Sequence, residues 1–221
     1  MVEKSIKKPG GRSGLSADKI FAAAVRLADE SGLEGLSMRR LAQTLGVEAM
    51  SLYNHVKNKD ALLDGMIEEV ATGFHRAGSG DWQAEMRQRA LSAHEVLTAH
   101  PWASALLVSR VTAGPVMLTY ADATLGCLRG AGFSWAQADR IWNALDSHIY
   151  GFTLLEQNFP FNEDEYAPAA RAYLPMIPAD VLPNLRALTV EVAEERHAGR
   201  QEFTFGLDLL LGAMARLPRE G

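Results

Sequence analysis

A single cysteine, Cys127, stands in this chain of 221 residues, so no intramolecular disulfide can brace it. A lone thiol fits a reducing compartment and reads as a small buried apolar side chain. No stretch reaches the roughly 18 uninterrupted apolar residues of a membrane span. No apolar segment follows the N-terminal lysines as a signal peptide would require. The expected protein is therefore soluble and cytoplasmic, with no membrane partner. Strand-type alternation is missing along the whole length, and so is any internal repeat. Catalytic signatures are absent as well: there is no Walker loop, no GxGxxG after a strand and no GxSxG elbow. The six histidines, at 55, 75, 94, 100, 148 and 197, include no HExxH pair. His94 and His100 are six apart and fall on different faces of a helix, while His148 and Glu156, eight apart, make only a lone pair. The expectation is no metal site, no required cofactor and no enzyme.

What is present is apolar material in quantity. Hydrophobic residues make up 48% and charged residues 22%, enough to build a core and too much for general disorder. The net charge of −5 argues against a polyanionic partner, but its distribution does not. Residues 1–60 hold ten Lys and Arg against seven Asp and Glu, a net of +3. Residues 61–221 carry a net of −8, and every lysine lies at or before Lys59. A basic end on an acidic body points to one end meeting polyanions.

The chain reads as all-α. Residues 1–14, with Lys4, Lys7, Lys8 and Arg12 among Gly, Ser and Pro, form a flexible basic arm that either stays solvated or adds phosphate contacts. Ser16 caps a first helix stopped by Gly32, Ser37 a second running through Leu45, and Asn58 a long one starting at Lys59. A short helix spans about Glu48–His55. Further helices are expected over Trp82–His100, Trp102–Val111, Met117–Gly130, Trp135 to about Phe159, Leu185–His197 and Gln201–Leu217. Ser134 and Gln137 form a capping box before the longest. Five of the nine prolines fall in residues 160–183, which reads as a loop with one helical turn at most. Trp82, Trp102, Trp135 and Trp142 are expected as core anchors.

The segment SMRRLAQTLGVEAMSLYNH, Ser37 to His55, carries the functional signal. Two short helices must cross closely for the second to project into a groove. Ala42 supplies the small contact and Gly46 the positive φ of the tight turn. Leu41, Leu45, Val47 and Leu52 face inward, which leaves Met50, Ser51, Tyr53, Asn54 and His55 on or near an exposed face that fits a major groove. The alternative for this segment is a helical hairpin in some other α-protein. Residues 15–60 are thus a helix-turn-helix domain and 61–221 a larger body. A purely architectural DNA binder would not need an acidic body more than twice the size of its headpiece.

LSMRRLAQTLGVEAMSLYNHVKNKDALLDGM resembles the DNA-binding signature of the TetR family of transcriptional regulators. GDWQAEMRQ, GFSWAQAD, LLEQ and FTFGLDLLLGAM then follow in the order of the family's tetracycline-responsive subgroup, so the resemblance covers nearly the whole chain and is strongest over 16–67. It implies a repressor released from a palindromic double-stranded DNA operator by a small-molecule effector. It implies that Arg39 reads a guanine edge, that Tyr53 and His55 grip phosphates or bases, and that Lys59 binds phosphate. Ser51 keeps a hydroxyl where the subgroup has threonine. Ala49, Met50 and Asn54 depart from the subgroup's Gln, Pro and Trp at base-facing positions, which implies a different operator. Packing on the domain core is the other reading of Tyr53, and a solvated charge that of Arg39. The resemblance further implies a homodimer through Ser134–Phe159 and Gln201–Leu217, with burial in the monomer core the alternative for the second helix. It places His75, Arg89, Leu107, Asn143, Ser147 and Glu156 at effector-binding positions. Leu107 stands where the subgroup uses a histidine for the drug's magnesium, so magnesium–tetracycline is not carried over. Arg89 in place of a neutral amide implies a different, anionic effector.

Overall fold

A computed structural model of the chain describes residues 14–110, 113–197 and 202–220. The basic arm, apart from Gly14, lies outside them. The first helices begin where side-chain oxygens catch free backbone donors. α1 (Ala17–Ser31), α2 (Met38–Leu45), α3 (Ala49–Tyr53) and α4 (Lys59–Ala71) come first. Ser16, Ser37 and Asn58 accept from the N–H three residues on and so open α1, α2 and α4. Asp81 does the same for α5 (Trp82–Ala99). α6 (Pro101–Ser109) and α7 (Pro115–Gly130) each start on a proline, which has no N–H to lose there. The Ser134–Gln137 capping box opens α8 (Trp135–Gln157), the longest helix. α9 (Glu163–Tyr173), α10 (Pro183–Ala193) and α11 (Phe203–Met214) complete the order.

One apolar core runs through the molecule from Ile20 to Met214. At its N-terminal end α1 packs on α2 and α4, burying Ile20, Ala24, Leu27, Leu41, Leu52 and Leu62. In the body α8 lies against α5, α6, α7 and α11, with Ala138, Ile141, Leu145 and Ile149 recurring on its inner stripe. α4 belongs to both halves, since it touches α1 on one side and α5, α6 and α7 on the other. Cys127 is buried, as its small apolar character predicts.

Residues 160–183 differ from expectation. They contain the 11-residue helix α9 and a 3₁₀ turn, Leu174–Met176, not a loop. Pro168 sits inside α9 and removes one bond of the ladder, but it is exposed and the rest of the helix outweighs it. The Glu165 carboxylate reaches back to the Asn162 N–H at 2.9 Å, and alanines at 167, 169, 170 and 172 favour the helix. α9 then packs on α10 around Ala170, Val192 and Ala193, a small cluster separate from the main core. Trp135 also departs from its expected role: it is 64% exposed, with the Arg129 guanidinium 4.9 Å from its ring. It occupies the first position of α8, where the capping box fixes the backbone and leaves the side chain outside.

Candidate functional site

The N-terminal site is built from the turn outward. Gly46 adopts φ 67°, ψ 34°, the left-handed conformation that ends α2, and Val47 N–H then bonds back to Ala42 O at 3.0 Å. Leu52 is fully buried and pins α3 to the core, as does Val56 just beyond it. The side chains that remain outside are the ones expected there. Met50 is 74% and Tyr53 44% exposed, so Tyr53 does not pack into the core. Arg39, Asn54, His55 and Lys59 are exposed and Ser51 is half-buried. The two neighbouring arginines of α2 behave differently. Arg40 folds back onto Ser31 Oγ at 2.9 Å and Gly35 O at 3.2 Å. Arg39 has no side-chain partner among the described residues, so its five donors are free.

Three polar contacts tie α1 and α4 to the later helices. Asp29 of α1 lies 2.8 Å from His100 Nδ1 and accepts from Trp102 Nε1 at 2.7 Å. Arg110, at the end of α6, donates to Asp64 at 2.9 Å and to Asp60 at 3.2 Å on the first turns of α4. Glu68, farther along α4, accepts from the Val116 and Met117 N–H groups at 2.7 and 3.2 Å and so caps α7.

The body contains a buried charge. Arg89, on the inner face of α5, is fully enclosed between α7 and α8. Its Nη2 donates to Asp146 at 2.6 Å, its Nε to Thr124 at 2.9 Å, and its guanidinium lies 4.5 Å from the Tyr120 ring centre. Burial opposes its charge; the Asp146 carboxylate at hydrogen-bond distance opposes burial and holds it protonated. Burial also pushes the hydroxyls of Tyr120 and Tyr150 far above the usual phenol value. Beside this cluster a cleft of about 700 Å³ opens between the end of α4 and the start of α7. Phe74, His75, Val116 and Tyr120 line it. His75 is held by Glu85 at 3.0 Å, and Glu85, which also accepts from Gly78, has its pKa lowered by these two bonds, Gly78's first.

The six expected effector residues do not converge on one cavity. His75 lines the cleft and Arg89 lies behind its Tyr120 wall. Leu107 is half-buried against the core. Glu156 sits 3.5 Å from His94, whose ring stacks on Phe203 and whose pKa burial holds down. Asn143 and Ser147 lie on the solvent side of α8 and bond to their own helix. One residue is a rotation of about 100° on a helix, so a register shift of one exchanges them for Trp142 and Asp146, which face inward. Asp146 and Tyr120, which contact Arg89 directly, were not singled out from the sequence. An acid on the inner side of α8 and an arginine on the apolar face of α5 were the available signal. Leu107 has no lone pair to offer a metal, and among the described residues no group of three or more His, Cys, Asp or Glu could hold one.

Fold and site together define a helix-turn-helix protein on an all-helical body. Residues 20–66 match the model of bacterial regulatory proteins of the tetR family, and residues 75–217 match the tetracyclin repressor-like C-terminal domain. The chain belongs to the TetR family. It is 33% identical over 145 residues to a helix-turn-helix transcriptional repressor of Streptomyces coeruleorubidus, covering 64% of this chain and 54% of that protein. It is 34% identical over 147 residues to the class E tetracycline repressor protein of Escherichia coli, covering 65% of this chain and 69% of the relative. The chain thus spans little more than half the length of the first of these relatives. Among solved structures it resembles ActR of Streptomyces coelicolor in complex with actinorhodin, with a TM-score of 0.77, 27% identity, and coverage of 92% of this chain and 96% of that one. No helix among the described residues is long and apolar enough to cross a membrane.

Proposed function

We propose that this protein is a dimeric, sequence-specific transcriptional repressor that leaves a palindromic operator when a small molecule binds its body. The observation that carries the reading is the set of free, exposed side chains on a rigidly packed α2–α3 pair. Arg39 reads a guanine edge, Met50, Ser51, Tyr53, Asn54 and His55 face the major groove, and Lys59 meets phosphate at the start of α4. The complex of ActR with actinorhodin supports a small-molecule effector. A dimer is supported by the outer face of α8 and α11, where Leu155, Phe205 and Leu209 are 65%, 66% and 60% exposed. Gly206 lets α11 approach α8 closely within the chain, since a Cβ on it would come within 2.5 Å of the His148 ring.

Release works through α4. Its far end walls the cleft, its middle caps α7 and its near end holds Lys59. A ligand in the cleft favours a state in which α4 is displaced and the two recognition helices no longer match successive major grooves. The test is a titration against the gene's own upstream intergenic DNA at several salt concentrations. Wild type binds this DNA about a thousandfold more tightly than random sequence, and Arg39→Ala and Tyr53→Ala abolish that preference. Lys59→Ala weakens all sequences alike and lowers the salt slope by about one. Equal, weak binding to any DNA by all four proteins refutes the reading.

A further inference from the structure

Two buried donors on touching side chains have no partner among the described residues, Arg89 Nη1 and the Tyr120 hydroxyl, and Trp142 Nε1 on α8 is unpaired as well. A buried donor left unpaired costs about 1–3 kcal/mol, so a folded chain that keeps two on touching side chains needs a reason. Arg89 lies against the Tyr120 ring and donates to Asp146 of α8, and Trp142 lies one helical turn before Asp146. Tyr120 is also the inner wall of the 700 Å³ cleft, a volume within the range of small-molecule sites.

From this arrangement we propose that the effector is a neutral, ring-bearing molecule whose carbonyl oxygen accepts from Arg89 Nη1 and the Tyr120 hydroxyl. The proposal rests on the effector-release reading and gives it a ligand class. Neutrality follows from Asp146. Its carboxylate already compensates the Arg89 charge at 2.6 Å, so a second carboxylate in the same dry space would face uncompensated repulsion. A carbonyl supplies lone pairs without charge. The anionic effector implied by an isolated Arg89 is replaced on this ground. A ring fits because the cleft walls include Phe74, Val116 and Pro115 beside the Tyr120 face. The ligand enters beside His75, turns the Tyr120 ring and reaches the guanidinium behind it.

The test uses the full chain without DNA, so that its failure is separable from failure of operator binding. The probes are 1,8-dihydroxyanthraquinone, which is neutral, and anthraquinone-2-carboxylate, of similar size but charged. Titration is expected to show tighter binding of the neutral probe to wild type and at least a tenfold loss in Tyr120→Phe, with Arg140→Ala, exposed on α8, unchanged. Thermal unfolding supplies a second readout. If the hydroxyl waits for a ligand, unliganded Tyr120→Phe melts at or above the wild-type temperature. A lower melting temperature would mean that the hydroxyl has a structural partner, such as a bridging water, and overturns the proposal. It is equally overturned if the carboxylate probe binds better, if neither probe binds, or if Tyr120→Phe binds as wild type does.

Discussion

Gly65→Ala tests whether the α1–α4 contact sets the position of the DNA-reading end. A Cβ at Gly65 would lie 2.2, 2.3 and 2.6 Å from three carbons of the Phe21 ring. Carbon atoms settle at about 3.5–4.0 Å, so the ring, or α1 with it, must retreat by more than an ångström. Overpacking of this kind costs about 1–3 kcal/mol. Alanine in a helix interior returns about 1 kcal/mol relative to glycine. The net loss of stability is therefore small, about 0–2 kcal/mol, and urea unfolding should register only a modest shift. Operator affinity should fall more, by tenfold or greater, because Arg39 and α3 ride on α1 and α2 while Lys59 stays with α4. Phe21→Leu placed on top of Gly65→Ala makes room for the methyl group and should restore binding. Unchanged operator affinity in Gly65→Ala, or no rescue by Phe21→Leu, would refute the idea that this contact sets the headpiece angle.

Removing Asp146 alone strands the buried Arg89 charge. Asp146→Ala should cost about 3–5 kcal/mol in urea unfolding, whereas Arg89→Met with Asp146→Leu should recover most of it. His94 gives a pH signature: burial keeps its folded pKa below the usual imidazole value of 6.5, so below that value the unfolded chain holds more protons. Stability is then fully present above about pH 6.5 and declines as pH falls toward the folded value, and His94→Gln should flatten that slope in thermal unfolding. Leu209→Asp, at a position 60% exposed in the single chain, should leave folding intact while sedimentation shows monomers and operator binding is lost. A stable Leu209→Asp dimer would place the two-fold contact elsewhere.

Helix starts were legible in the sequence because each depends on a few adjacent atoms. Ser16, Ser37, Asn58 and the Ser134–Gln137 pair all cap the helices their chemistry predicts. Gly46 was legible for the same reason. The helix α9 was not, because proline frequency is a poor guide once one proline sits on an exposed face and others start or follow helices. Interior polar chemistry was hardest to see. Arg89 drew notice from the family resemblance alone, and its partner Asp146 is 57 residues away on another helix. Only packing decides whether an arginine on α5 meets solvent, a ligand or a carboxylate. Asn143 and Ser147 were placed by collinear resemblance, and a register shift of one residue exchanges an inward for an outward position on a helix.

Glu68 gives α4 a detent. Its carboxylate holds the first two N–H groups that α7 has to offer after Pro115, so α4 cannot drift outward by small degrees and keep both. Little changes while the carboxylate holds on; once it lets go, nothing halfway along restores the loss. The paired contact therefore favours one seated position of α4 over small outward tilts. If α4 is the lever proposed above, a dose–response curve would be graded only as an average over many copies, each molecule switching as a unit.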